Sequence, residues 1–109
     1  MPPAQNLQIN PQRLWDTIME TAQFGATQKG GICRLTLTDL DRKVRDWFKE
    51  RCEAFGCTVS VDEVGNMFAR RPGRNNALAP IAMGSHLDTQ PTGGKFDGVL
   101  GVLDRKSVV

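Results

Sequence analysis

The chain has 109 residues, of which 39% are hydrophobic and 24% charged, so it has the make-up of an ordinary soluble globular protein with room for one small core and too little length for a typical two-domain enzyme. Its net charge of +2 is too small to favour nucleic acid as a partner, no apolar stretch is long enough to span a bilayer, and Met1 to Asn10 lack the basic and apolar regions of a secretory signal; no membrane partner and a cytoplasmic location are the expectation. Cys33, Cys52 and Cys57 are odd in number and lack C-x-x-C spacing, which points to small buried residues rather than a disulfide framework or a cysteine zinc site.

In chain order, Asn10 followed by Pro11 has the character of an N-cap and first helical position. Leu14, Trp15, Ile18, Met19 and Ala22 then recur at helical spacing, predicting a helix whose apolar stripe ends near Phe24 and Gly25. Gly25 to Leu37 holds three glycines and no clear period, predicting a loop that either approaches a ligand or merely connects. Thr38-Asp39-Leu40-Asp41 resembles a capping box with Asp in place of Glu, ahead of a second helical stripe through Val44, Trp47, Phe48, Cys52 and Phe55. Gly56 fits the left-handed position that closes a helix.

Cys57, Val59 and Val61 alternate with polar residues and predict a strand, with Val64 to Arg70 returning as a second after a turn at Asp62-Glu63. Arg70, Arg71 and Arg74 surround Pro72-Gly73 and belong to a solvated turn rather than a phosphate site. Pro80-Ile81-Ala82-Met83, bounded by Gly84, predicts a third, buried strand. Helices, then strands, then a further helix specify a mixed α/β fold.

The chemistry-bearing residues follow that apolar run, in Gly84-Ser85-His86-Leu87-Asp88-Thr89 and Pro91-Thr92-Gly93-Gly94-Lys95-Phe96-Asp97-Gly98. Period-two geometry puts His86 and Asp88 on one side, where Asp88 accepts a hydrogen bond from the imidazole or both face a metal. Ser85 points the other way, which disfavours a Ser85-His86-Asp88 triad. Gly93-Gly94-Lys95 is not a P-loop, because Phe96 follows the lysine and no glycine stands five positions before Gly94. Imidazole and carboxylate suit zinc and similar ions, and the glycines allow Asp97 to fold back toward His86. Spacing alone leaves open the plainer alternative, in which Asp88 satisfies His86 and the glycines only make turns.

These residues resemble the zinc-dependent amidohydrolases of the hydantoinase/carbamoylase group, relatives of the di-zinc aminopeptidases and acylases. The resemblance runs from about Leu14 through Leu103. Its most specific parts are Gly84–Thr89 and Gly93–Gly98, supported by Leu37–Arg42 and Val64–Arg70. It implies the N-terminal part of a di-zinc aminopeptidase-like α/β catalytic domain, helices first and then the first sheet strands.

The resemblance further implies that His86 is a terminal ligand of one metal and that Asp97 bridges two. Asp88 enters the catalytic apparatus as the group that orients His86, and a non-prolyl cis peptide follows Asp97. The ions are two divalent metals, zinc with manganese or cobalt as alternatives. The reaction is hydrolysis of the carbamoyl C–N bond of an N-carbamoyl-L-amino acid or related ureido acid. The full-length enzyme is implied to be a homodimer, and such enzymes run to several hundred residues with further Glu and His ligands. Residues 1–103 fit the catalytic-domain pattern, whereas 104–109 depart from the apolar helix expected after Gly98 and are set apart as an atypical tail. A different di-metal acylase or peptidase fragment and a small non-catalytic metal-binding module are the alternative functions.

Overall fold

A computed structural model describes residues 8–107, with side-chain surroundings through residue 104. Helix α1 spans Pro11–Thr21. Asn10 caps it, its side-chain oxygen accepting the Arg13 N–H at 3.0 Å, and Pro11 stands where the missing donor costs nothing. Helix α2 spans Asp39–Ala54 and starts at Thr38, whose hydroxyl accepts from Asp41 N at 3.2 Å. The reciprocal arm of the box lands one residue early: the Asp41 carboxylate accepts from Leu37 N at 3.0 Å. An Asp is one methylene shorter than the usual Glu, and it finds its donor where Leu37 turns at φ +63°. Gly56 closes α2 at φ +82° while Cys57 N–H donates to the carbonyl of Cys52.

Strands β1 (Thr58–Val61) and β2 (Met67–Arg70) pair antiparallel, with Thr58 opposite Arg70 and Val61 opposite Met67. Their connection is organised by Asp62, whose carboxylate accepts from the backbone of Val64 and Asn66 and from the Asn66 side-chain amide. Helix α3 spans Val99–Ser107, so the helix continues through the sequence change at Asp104.

The core lies where α1 meets α3. Ile18, Val99 and Leu103 are buried there, with Leu14, Met19, Trp47, Leu87 and Val102 packed against them. Each fully buried aliphatic side chain contributes roughly 1.5–3 kcal/mol relative to exposure. Helix α2 is tied to α1 by Glu20, which accepts the Trp47 indole N–H at 2.9 Å and pairs with Arg51 at 2.5 Å.

The segment Gly25–Leu37 connects, and it also folds back on itself. Thr27 N–H donates to Gly31 O and Cys33 N–H to Gly25 O, while Ile32 exchanges two backbone hydrogen bonds with Gly93. Two expectations need correction. Pro80–Met83 forms no strand among the described residues, and Ile81 and Met83 are 90% and 60% exposed. A strand exists through its ladder partners, and here the sheet ends at two strands. None of the three cysteines forms a disulfide, but only Cys52 is buried.

Candidate active site

The two ends of the candidate site are held by different means. On one side, residues 86–89 keep strand-like alternation without a ladder. Leu87 packs on the core and Thr89 is buried, which leaves His86 and Asp88 facing outward. The Thr89 hydroxyl accepts from Arg34 N at 2.8 Å, and Thr89 N–H donates to Arg34 O at 2.7 Å. On the other side, Asp97 precedes α3, and the carbonyl of Asp97 accepts from Val99 N.

The imidazole of His86 lies between the two carboxylates. Nδ1 is 3.0 Å from the carbonyl oxygen of Asp88 and 3.2 Å from its carboxylate. Both are acceptors, so the proton of the neutral ring belongs on Nδ1 and the lone pair on Nε2. That Nε2 faces Asp97 Oδ2 at 3.7 Å, longer than a direct hydrogen bond. All three side chains are accessible, at 50% for His86, 39% for Asp88 and 67% for Asp97.

Gly98 forms the floor. A Cβ there would overlap the carbonyl oxygen of His86 and come within 2.5 Å of ring atoms Cε1 and Nδ1. Its φ of +74° turns the chain from Asp97 into α3. The expected cis peptide after Asp97 is absent: no cis bond occurs among the described residues. The trans form is the lower-energy default, and here the left-handed glycine supplies the turn.

One residue that the sequence reading passed over stands beneath the site. Arg34 is 1% exposed, the largest fully buried side chain among the described residues. Its Nε donates to Leu87 O at 2.9 Å, and its Nη1 donates to Thr21 O at 2.9 Å and Phe24 O at 2.7 Å. Burial pushes its guanidinium below arginine's ordinary value, and the carboxylates of Asp41 and Asp88 push it back up. An arginine beside three loop glycines carries no local mark of burial; only its apolar neighbours Ile32 and Leu35 hint at it.

His86 and Asp97 thus present one imidazole nitrogen and one carboxylate oxygen toward a common space, with the opposite ring nitrogen already anchored. The donor chemistry fits a divalent ion of the zinc type. The set is partial: among the described residues no group of three or more His, Cys, Asp or Glu side chains converges on an ion-sized site, and catalytic zinc takes three protein ligands.

No family model matches the chain. Individual proteins match it clearly. An N-carbamoyl-L-amino-acid amidohydrolase of Rhizobium meliloti is 52% identical over 101 residues, covering 93% of this chain and 24% of that protein. The crystal structure of a hydantoinase/carbamoylase family amidase from Burkholderia ambifaria superposes with a TM-score of 0.90 at 54% identity, over 93% of this chain and 25% of the other. The chain is homologous to a segment of the hydantoinase/carbamoylase amidases. An allantoate amidohydrolase of Bacillus subtilis (strain 168) is 40% identical over 88 residues, 81% of this chain and 21% of that protein. The chain therefore spans about a quarter of the length of the relatives it matches. Its helices and strands correspond to part of their aminopeptidase-like α/β catalytic domain. Among the described residues no helix is long and apolar enough to cross a membrane.

Proposed function

We propose that this chain supplies part of the metal site of an amidohydrolase that cleaves the carbamoyl C–N bond of an N-carbamoyl-L-amino acid or a related ureido acid. The observation that carries the reading is the arrangement of His86: Nδ1 anchored on Asp88, and Nε2 presented toward Asp97 at 3.7 Å. The similarity to carbamoyl-amino-acid and allantoate amidohydrolases supports the substrate class.

In this reading His86 Nε2 would hold one ion, and Asp97, with two oxygens, would be shared between that ion and a second. Two such divalent ions, zinc or alternatively manganese or cobalt, would supply Lewis acidity toward the carbamoyl oxygen and activate water as nucleophile. Asp88 keeps the Nδ1 proton in place, so that the ring offers Nε2 without rotating. Gly98, packed against the ring, limits its movement. Ligands from outside these residues would have to complete the coordination and provide the general base.

The test is metal content and turnover of an N-carbamoyl amino acid in the enzyme containing this chain. His86→Ala should release one ion per active site, Asp97→Ala both, and Asp88→Asn should weaken metal affinity by about 10–100-fold, the usual range for groups behind a ligand. Two tightly held ions and near-normal turnover in Asp97→Ala would sink the bridging assignment. The same result in all three variants would sink the site.

A further inference from the structure

The residues that face the candidate site are exposed, yet their backbone is fixed from below by one buried side chain. Arg34 donates through Nε to the Leu87 carbonyl at 2.9 Å. That carbonyl belongs to the peptide plane joining Leu87 to Asp88, so the bond sets the direction in which Asp88 leaves the chain. Asp88 in turn offers both acceptors to His86 Nδ1, at 3.0 and 3.2 Å. The other end of the guanidinium is fixed by the carbonyls of Thr21 and Phe24, which lie at and just beyond the end of α1, where helix carbonyls lack intrahelical partners. The backbone of Arg34 also brackets Thr89, the residue after Asp88, through two hydrogen bonds of 2.8 and 2.7 Å.

We infer that Arg34 is a positioning residue for the metal site: through the Leu87 peptide it holds Asp88, and through Asp88 the ring of His86, in the orientation that presents Nε2. This rests on the metal-site reading for its purpose, while the geometry it describes stands without a metal. The planar fork of arginine serves three carbonyls in two directions at once; a lysine in the same place delivers one point charge and cannot span both ends.

Because His86 is the sole histidine of the chain, its ring nitrogens give an unambiguous NMR signal. In the wild-type chain labelled with ¹⁵N and ¹³C, a through-hydrogen-bond coupling should connect Arg34 Nε to the Leu87 carbonyl carbon, and the neutral ring should be mainly the Nδ1–H tautomer. Arg34→Lys should move the ring toward the Nε2–H tautomer and, in the enzyme containing this chain, weaken zinc binding by about 10-fold. Val44→Ala, at a fully buried position in α2 that makes none of these hydrogen bonds, serves as the stability control and should shift neither. No detectable coupling in the wild type overturns the inference, whatever the variants do. So does a tautomer ratio unchanged in Arg34→Lys, or changed equally in Val44→Ala. If the wild type shows the coupling and tautomer while the enzyme containing this chain keeps both ions in His86→Ala and Asp97→Ala, the metal reading fails and the positioning role survives.

Discussion

Nδ1 of His86 has two acceptors on a single residue, the carbonyl and the carboxylate of Asp88, and this tempers what the carboxylate alone can do. Asp88→Asn leaves the carbonyl in place, so its effect on metal affinity should fall nearer the lower end of the range given above. Gly98 has no such reserve. Any side chain there meets His86 and must also adopt a φ of +74°, which L residues rarely do. Gly98→Ala should therefore weaken zinc binding by more than about 10-fold, because it displaces a ligand rather than the group behind it. Gly94→Ala is the matched control, since a Cβ at Gly94 meets nothing within 4 Å; equal zinc affinities in isothermal titration would show that the ring does not depend on the glycine floor. At this scale the residue types made His86, Asp88 and Asp97 candidates, spacing alone left a plainer alternative open, and their roles came from the family resemblance; the structure brings the three side chains together. Arg34 was illegible: its partners Leu87 and Thr89 lie 53 and 55 residues away, and no local pattern encodes a pairing at that distance.

The elements that local rules govern were legible almost to the residue. Asn10 and Thr38 cap α1 and α2, Gly56 ends α2, and the alternation from Cys57 becomes β1. The β1–β2 hairpin carries a pH signature of its own. Hydrogen bonds from the side chain and backbone of Asn66, followed by that of Val64, hold the Asp62 carboxyl below its ordinary value of 3.8. A carboxylate whose folded value is depressed stabilises the fold fully above its unfolded value, and that contribution fades as pH falls through the folded value. Acidification below 3.8 should thus loosen the hairpin, seen as loss of exchange protection at the Asn66 amide. Asp62→Asn should remove this pH step; an acid transition of the same size in that variant would assign it to other carboxylates. Pro80–Met83 failed for a reason that local rules do not contain: its apolar run meets the requirement for a buried strand, but burial comes from neighbouring layers, and the described residues do not provide them.

Across the whole molecule, the described residues have a radius of gyration of 15.2 Å and extents of 50 × 34 × 20 Å, against about 13 Å expected for a compact domain of this length. Apolar surface is correspondingly open. Leu78, Ile81 and Met83 are 67%, 90% and 60% exposed, and Trp15 and Phe96, with ring centres 6.1 Å apart, border a groove of about 270 Å³ lined also by Leu14, Ile18 and Leu100. Exposed apolar segments without strand partners invite pairing between copies. Sedimentation should therefore show association that rises with concentration, and the double substitution Ile81→Lys with Met83→Lys should reduce it while leaving the melting temperature nearly unchanged, since neither side chain contributes to the core. Association unaffected by that change would place the sticky surface elsewhere. The sequence could indicate the mixed α/β class but not this openness, because composition counts apolar residues without saying which find cover. The bonds that Arg34 donates to Leu87 and Thr89, and the one that Ile32 O accepts from the Thr89 hydroxyl, close loops of 53 to 57 residues. Bringing such distant points together costs about 3.5 kcal/mol of chain entropy beyond a length-independent constant, whereas the two capped helices and the hairpin close over a few residues each. Folding should consequently complete the helices and hairpin first and His86 and Asp88 last, so a lesion anywhere along the closing segment delays the arrival of the chemistry more than it delays the fold.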